Sequence, residues 1–186
     1  MLTSFFKSEK GSLSIETVII FPLLWWAFLA TFLFWDIFHS QAVSQRAAFT
    51  VADNISRETD PVNAEYIQGM ADVHTYLIRG SHASRMRVTA ISYNDTDDQF
   101  EVIWSHTPDS SWSNLDTGTL QDLADRIPIM AAGDVAILVE AQVRYVPFLN
   151  VGIGPSVVDS FVVTRPRFGP QLVWENADGT LITYGS

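Results

Sequence analysis

Three residues near the N-terminus of this sequence, Gly11, Glu16 and Pro22, have types and spacing that could do chemistry. Glu16 lies at the leading edge of an apolar run, and an ionised carboxylate inside a membrane costs about 2.5–3.5 kcal/mol. Cleavage after Gly11 would supply a compensating cation, because Ser12 would gain a free amine and Glu16 would become the fifth residue of the shortened chain. Gly11 has no side chain to obstruct a peptidase. The pattern predicts processing between Gly11 and Ser12, and pairing of Glu16 with the amine of a neighbouring subunit.

The element that must hold Glu16 is the apolar run itself. From Val18 to Trp35 the sequence has no charged residue. As a helix this stretch is about 27 Å long, close to the hydrocarbon thickness of a bilayer. We therefore predict a transmembrane helix over residues 12–38. Pro22 removes one helical hydrogen bond, which predicts a kink near Val18.

The charges that flank the run predict its orientation. Lys7 and Lys10 precede it, whereas Asp36 and a single Arg46 follow it. The positive-inside bias therefore keeps the N-terminus in the cytoplasm and exports the C-terminal domain. Two other interpretations of this N-terminus remain open. One is a secretory signal peptide cleaved near Ala42-Val43-Ser44, and the other is an uncleaved signal anchor.

The order of these features resembles one family of pilins. The match covers Gly11-Ser12-Leu13-Ser14-Ile15-Glu16-Thr17-Val18-Ile19-Ile20-Phe21-Pro22-Leu23-Leu24. It is similar to the N-terminus of TadE-like minor pilins of the Tad (tight adherence, Flp-type, type IVc) pilus. In that family a glycine is followed after five residues by glutamate, and the aliphatic run is broken by a proline six residues later. Many pilins have an aromatic residue after the glutamate, where this chain has Thr17, a departure that favours the minor class.

The resemblance implies a domain organisation and a set of partners. It implies a prepilin leader over residues 1–11, a transmembrane helix over 12–38, a periplasmic continuation of that helix over 39–58, and an exported α+β domain over 59–186. The implied partners are a prepilin peptidase, other pilins or pseudopilins, and inner-membrane pilus assembly proteins. A minor pseudopilin of type II secretion is a related alternative. From a different class, a signal-anchored periplasmic protein with a ligand-binding or enzymatic domain also remains open.

The stem that follows the predicted span is amphipathic. Between Gln41 and Arg57, apolar residues recur every four positions, as expected for one helix face, at Val43, Ala47, Val51 and Ile55. Ala48, Phe49 and Ala52 lie beside them. This face must pack on another surface, either the protein's own sheet or another subunit.

The remaining sequence predicts a second helix and then strands. One helix is predicted over Asn63–Leu77, with Pro61 at its start. A short helix is predicted over Leu120–Ile127. Alternating patterns and turn residues predict strands over Arg85–Tyr93, Gln99–Ser105 and Val135–Val146, and a last pair formed by Val157–Thr164 and Leu172–Trp174. The predicted fold class is α+β and pilin-like, with a long N-terminal helix packed on an antiparallel sheet.

Composition argues against several functions. A net charge of −10, from 11 basic and 21 acidic residues, disfavours nucleic acid as a partner. The absence of cysteine excludes disulfides and thiolate chemistry. The sequence has no nucleophile elbow, no phosphate-binding glycine loop and no zinc-protease helix. We therefore expect neither enzymatic activity nor a cofactor.

Two charged clusters remain as weaker candidates. Asp95, Asp97 and Asp98, with Glu101, could hold calcium at a hairpin tip, although the spacing is not that of an EF-hand loop. Arg165 and Arg167 are candidate contacts to an acidic patch of a partner subunit.

Overall fold

A computed structural model describes residues 9–78, 83–149, 152 and 154–185 of the chain, with the side chains of residues 9–14 left undescribed. Its first element, α1, is one helix of 48 residues, Glu9–Ser56. At about 1.5 Å per residue it is about 72 Å long. The helix continues through Pro22. It therefore joins the predicted span to the predicted stem without a break.

The second helix, α2, covers Ala64–Leu77. Its N-terminus is set by Asn63, whose side-chain oxygen accepts a hydrogen bond of 3.0 Å from the Tyr66 backbone amide. Such a cap satisfies one of the amides that have no partner within the helix. The prediction of this helix is confirmed, but Pro61 lies two residues before the cap rather than in the first turn.

Four strands form one antiparallel sheet in the order β2-β1-β3-β4. Their bounds are Ser84–Asn94 for β1, Gln99–His106 for β2, Val135–Tyr145 for β3 and Ser156–Thr164 for β4. β1 and β2 form a hairpin whose turn includes Asp98 at a φ of 51°. This is a left-handed conformation that Asp tolerates better than most residues. All four strands of this sheet were predicted to within about one residue at each end, and the arrangement confirms an α+β fold.

The inner face of the sheet carries the main core. Met86, Val88, Ile137, Val139 and Val162 are buried there against the C-terminal half of α1. The helix contributes a stripe of small and β-branched side chains, namely Ala48, Val51, Ala52 and Ile55. The apolar face predicted for the stem therefore packs on the protein's own sheet. Phe49 lies off this stripe and is exposed.

The outer face of the sheet is half covered by the connection between β2 and β3. Leu115, Leu120, Ile127 and Met130 of this connection are buried against Ile91 and Leu138 of the sheet. The helix predicted over Leu120–Ile127 is instead two short pieces, α3 at Thr117–Leu120 and a 3₁₀ helix at Gln121–Arg126. Asp116 caps α3 through a reciprocal pair of hydrogen bonds with Thr119.

The pairing predicted for the last strands is wrong. β4 pairs only with β3 among the described strands, and the Leu172–Trp174 region turns to other partners. Two short strands, β5 at Trp174–Glu175 and β6 at Leu181–Ile182, form a separate hairpin. After Pro166 the chain crosses the end of α1, where the Arg167 amide donates to the Ser56 carbonyl at 2.7 Å. Trp174 is held by the core, 5.0 Å from the Trp104 ring.

His74 of α2 is a buried polar group within this core. Its side chain is fully buried, and neither ring nitrogen has a hydrogen-bond partner among the described residues. Burial lowers the pKa of His74 below its ordinary value of 6.5, because desolvation penalises the imidazolium. His74 is therefore held neutral in the folded protein.

This burial predicts a loss of stability at mildly acidic pH. Because the pKa of His74 is lower in the folded than in the unfolded state, the unfolded state binds more protons below about pH 6.5. The free energy of unfolding should be highest above that pH and should fall by up to about 1.4 kcal/mol for each further pH unit, until the folded pKa is reached. Urea titrations of the full chain in detergent, from about pH 7.5 to 5, would measure this slope.

The variant His74→Leu should flatten the slope. The matched control is His106→Leu, because burial also lowers the pKa of His106, which is only partly buried and stacks on Trp174 at 4.8 Å. We expect this control to keep most of the pH dependence. An unchanged slope in His74→Leu would show that another group causes it.

Candidate functional site

The N-terminal part of α1 is an exposed apolar surface. The helix segment from Ile15 onward contains an 18-residue window of mean hydropathy 2.1, only 6% of which is buried. Within the described residues this is one helix long and apolar enough to cross a membrane. A protein in water rarely leaves so large an apolar surface uncovered. The surface must meet lipid or another protein.

The predicted processing and assembly residues all lie on this helix. The backbone of Gly11 and Ser12 is in its first turns, and the side chain of Ser12 lies outside the described residues. Glu16 is exposed and has no cationic partner among the residues that the structure describes. Pro22 lies six residues further along the same helix. These positions thus fall within about three turns of one helix.

The apolar surface of α1 ends where the sheet meets the helix. The Tyr145 hydroxyl, at the end of β3, donates a hydrogen bond of 2.6 Å to the Asp36 carboxylate. Two turns further on, the hydroxyls of Ser44 and Ser160 are 3.1 Å apart in a buried contact. The Tyr145–Asp36 bond therefore fixes the lower end of the sheet to the first charged residue after the apolar run.

The surroundings of the Tyr145 hydroxyl keep it protonated. Burial, then the hydrogen bond to Asp36 and the charge of that carboxylate, raise the pKa of Tyr145 to about 12. The phenol is therefore a permanent donor at any physiological pH. The contact is a hydrogen bond to a charged acceptor, which is stronger than one between neutral groups.

On the N-terminal side of this junction along α1, the loop after β3 turns toward the apolar part of the helix. The Phe148 ring packs edge-on against Phe32, with 5.9 Å between ring centroids. Leu33 is fully buried, although most of its neighbours in the helix are exposed. The loop thus covers part of the segment that was predicted to lie in the membrane.

Arg165 and Arg167 make ion pairs within the chain. Arg165 binds the Asp134 carboxylate at 2.7 Å, and Arg167 binds Asp53 at 2.8 Å. Asp53 also pairs with Arg57, one turn along α1. All these side chains are partly or largely exposed, so each pair contributes little to stability. Their role as contacts to a partner subunit stays a prediction.

The acidic hairpin tip is held by local hydrogen bonds. The Tyr93 hydroxyl donates to Asp98 at 2.5 Å, and the Asn94 amide donates to Glu101 at 2.7 Å and to Asp97 at 3.3 Å. Among the described residues, no group of three or more His, Asp or Glu side chains could hold a metal ion. Asp97, Asp98 and Glu101 thus accept hydrogen bonds from the side chains that flank the turn.

A cleft on the outer face of the sheet was not predicted from the sequence. Arg87 of β1 and Glu140 of β3 form a buried ion pair at 2.7 Å, and Arg87 also donates to the Ser113 carbonyl. The Trp112 ring covers the pair, 4.5 Å from the Arg87 guanidinium. The cleft beside it has a volume of about 330 Å³. Arg85-x-Arg87 was a signal in the sequence, but its acidic partner depends on the register of two strands far apart in the chain.

The junction between helix and sheet yields a direct test. Replacing Tyr145 by Phe removes the hydrogen bond to Asp36 and keeps the ring. A hydrogen bond to a charged group contributes about 1.5–3 kcal/mol. We expect Tyr145→Phe to lower the free energy of unfolding of the full chain in detergent by this amount. Tyr76→Phe is the control, because Tyr76 is exposed and should change stability by less than about 0.5 kcal/mol. Equal effects would mean that the bond does not hold the junction.

No family model, curated protein or solved structure matches this chain. A functional assignment therefore rests on its own residues and geometry.

Proposed function

We propose that this protein is a minor pilin or pseudopilin of a Tad-type pilus, held in the bacterial inner membrane and acting in pilus assembly. One observation carries the proposal. A single helix, Glu9–Ser56, is apolar and exposed in its N-terminal half and packs on an antiparallel sheet in its C-terminal half. This arrangement suits a subunit that stands in the membrane and presents a folded domain outside it.

The position of Glu16 supports an assembly role rather than simple anchoring. An anchor gains nothing from a carboxylate at the edge of its apolar segment, since an ionised side chain in the membrane costs up to about 3.5 kcal/mol. Cleavage after Gly11 would remove the leader and leave a cationic amine on Ser12, at the start of the transmembrane helix. An amine from a neighbouring subunit would neutralise Glu16 and so draw two helices together.

The flanking charges support export of the sheet domain. Lys7 and Lys10 precede the apolar segment, whereas Asp36 follows it. The positive-inside bias then gives a cytoplasmic N-terminus and a periplasmic C-terminal domain. In this orientation the Tyr145–Asp36 bond lies at the periplasmic surface of the membrane.

Exposed aromatic residues extend the surface for lateral association beyond the span. Phe38 and Phe49 are 66% and 60% exposed. They are separated by about three helical turns and so lie on the same side of α1. This side is not covered by the sheet, and a neighbouring pilin helix is its natural partner in the proposal.

The cleft beside Trp112 is the observation that favours the alternative function. A signal-anchored periplasmic protein would use such a polar cleft, with Arg126, Asp122 and Asp159 at its rim, to bind a small ligand. A minor pseudopilin of type II secretion would share the anchor and the processing step. The state of the N-terminus separates the first of these alternatives from the pilin proposal.

Processing after Gly11 is the first test. We expect mass spectrometry of membrane fractions from cells with an active prepilin peptidase to give a mature chain that begins at Ser12. Cells without the peptidase should keep the leader, and Gly11→Ile should keep it in both. An intact leader in the presence of the peptidase would exclude the pilin proposal. A chain cut after Ala42-Val43-Ser44 would identify a secretory signal peptide instead.

Removal of the Glu16 carboxylate is the second test. Glu16→Ala should leave membrane insertion unchanged and reduce the number of assembled pili by roughly tenfold or more, because about 1.4 kcal/mol of lost pairing is already tenfold in an equilibrium constant. Glu65→Ala is the control, since Glu65 is an exposed carboxylate in the folded domain. Normal piliation in Glu16→Ala would show that this carboxylate is not an assembly contact.

A further inference from the structure

We propose that the loop after β3 contacts the lipid bilayer directly and gives the exported domain a second membrane contact beside α1. The contact residues are Val146, Phe148 and Leu149, and they are named below as the lipid-facing loop. This inference rests on the proposed placement of α1 in the membrane. It adds a partner surface, the outer lipid leaflet, that lies on the sheet domain rather than on the helix.

The height of the loop along α1 carries the argument. Asp36 is the first charged residue after the apolar segment, and Tyr145 binds it directly. Phe148 packs on Phe32, four residues closer to the centre of the apolar segment. Four helical residues correspond to about 6 Å. The aromatic ring of the loop therefore lies about one helical turn below the charge that marks the membrane surface.

The chemistry of the loop fits lipid. No charged residue occurs between Arg144 and Asp159. Phe148 is 59% exposed, and Val146 and Leu149 are exposed as well, so the ring has one side on the helix and the other uncovered. Together with the exposed aromatic residues of α1 at the same height, these side chains form one continuous apolar surface. A surface continuous with a membrane span meets the same lipid.

The backbone of the loop limits how deep it can lie. Irregular backbone exposed to lipid does not occur in the hydrocarbon region, because its amides and carbonyls would have no partners. The side chains of apolar interfacial segments instead reach about 5–10 Å into the boundary between headgroups and acyl chains. We therefore place the backbone of the loop among the headgroups and its Phe148 and Leu149 side chains in the upper acyl region.

A second contact has a mechanical consequence. A domain attached only by α1 could tilt together with the helix in any direction. Contact through both α1 and the loop limits this tilt, so that the outer face of the sheet, with Trp112, keeps one angle to the membrane plane. Subunits would thus enter assembly with their exported domains at the same angle to the membrane.

The absence of cysteine in the chain allows a clean test with single labels. Three variants of the full chain, Trp26→Cys, Phe148→Cys and Phe168→Cys, would carry an environment-sensitive fluorophore in vesicles of phosphatidylcholine and phosphatidylglycerol. Phe168 is the matched control, because it is 69% exposed and follows Arg167, which binds the Ser56 end of α1. That end is twenty residues, or about 30 Å, beyond Asp36. Lipids with a spin-label quencher at a shallow or a deep acyl position report contact and depth.

The proposal predicts a distinct result at each position. At Phe148 the emission should shift to shorter wavelength and be quenched more strongly by the shallow lipid than by the deep one. At Trp26 the deep lipid should quench more strongly, and at Phe168 neither should quench. The variant Leu149→Cys is a second test in case the substitution of Phe148 itself disturbs the loop. It should give the same shift of the emission and the same stronger quenching by the shallow lipid.

The outcomes that overturn the inference are separable from failure of the proposed function. Quenching at Trp26 with none at Phe148 and Leu149 would place the helix in lipid and exclude contact by the loop. A blue-shifted but unquenched label at Phe148 would mean that protein covers the loop. No quenching at Trp26 would show that α1 does not span the bilayer, and the proposed function would then fail together with this inference.

Discussion

The two halves of α1 are in different surroundings, and the position of the sheet follows from this difference. The C-terminal half of α1 presents a stripe of small and β-branched residues, Ala48, Val51, Ala52 and Ile55, which lets its backbone approach the inner face of the sheet closely. Its N-terminal half keeps an apolar surface that the domain covers only near Phe32 and Leu33. Since the helix is continuous between the two halves, the position of the sheet is fixed relative to the apolar segment. Any membrane or filament contact of the first half is thereby transmitted to the domain without a hinge.

The contact at Asp36, where the two halves of α1 meet, sets the position of the sheet and its loops along the helix. Asp36 is the point at which the apolar segment ends, and the Tyr145 hydroxyl binds it with a raised pKa that keeps the donor protonated. The sheet cannot slide along α1 without losing this bond and the buried contact between Ser44 and Ser160. The loop after β3 is consequently held against Phe32. Its contact with lipid, in our proposal, follows from geometry rather than from a separate anchoring motif.

Several arginines of the sheet domain bind carboxylates within the chain. Arg87 is buried with Glu140, and Arg165 and Arg167 bind Asp134 and Asp53. Because the two buried side chains neutralise each other, removal of either one alone would leave an uncompensated charge. The exposed pairs remain accessible and are worth little in stability. An acidic partner could therefore compete for Arg165 or Arg167 at low cost, which is the form that the predicted partner contact would take.

The sequence by itself determined the local elements, because their signals are local. Apolar length predicted the span, four-residue spacing predicted the buried face of the stem, and alternation with turn residues predicted the four strands of the sheet. It also singled out Gly11, Glu16 and Pro22, whose spacing within one helix requires no knowledge of the fold. Only the tertiary structure decided what depends on contacts between distant segments. These are the strand order, the separate hairpin of Trp174, the burial of His74, the ion pair of Arg87 with Glu140, and the placement of Phe148 against Phe32. Each depends on register or on loop closure, which the order of residues along the chain does not encode locally.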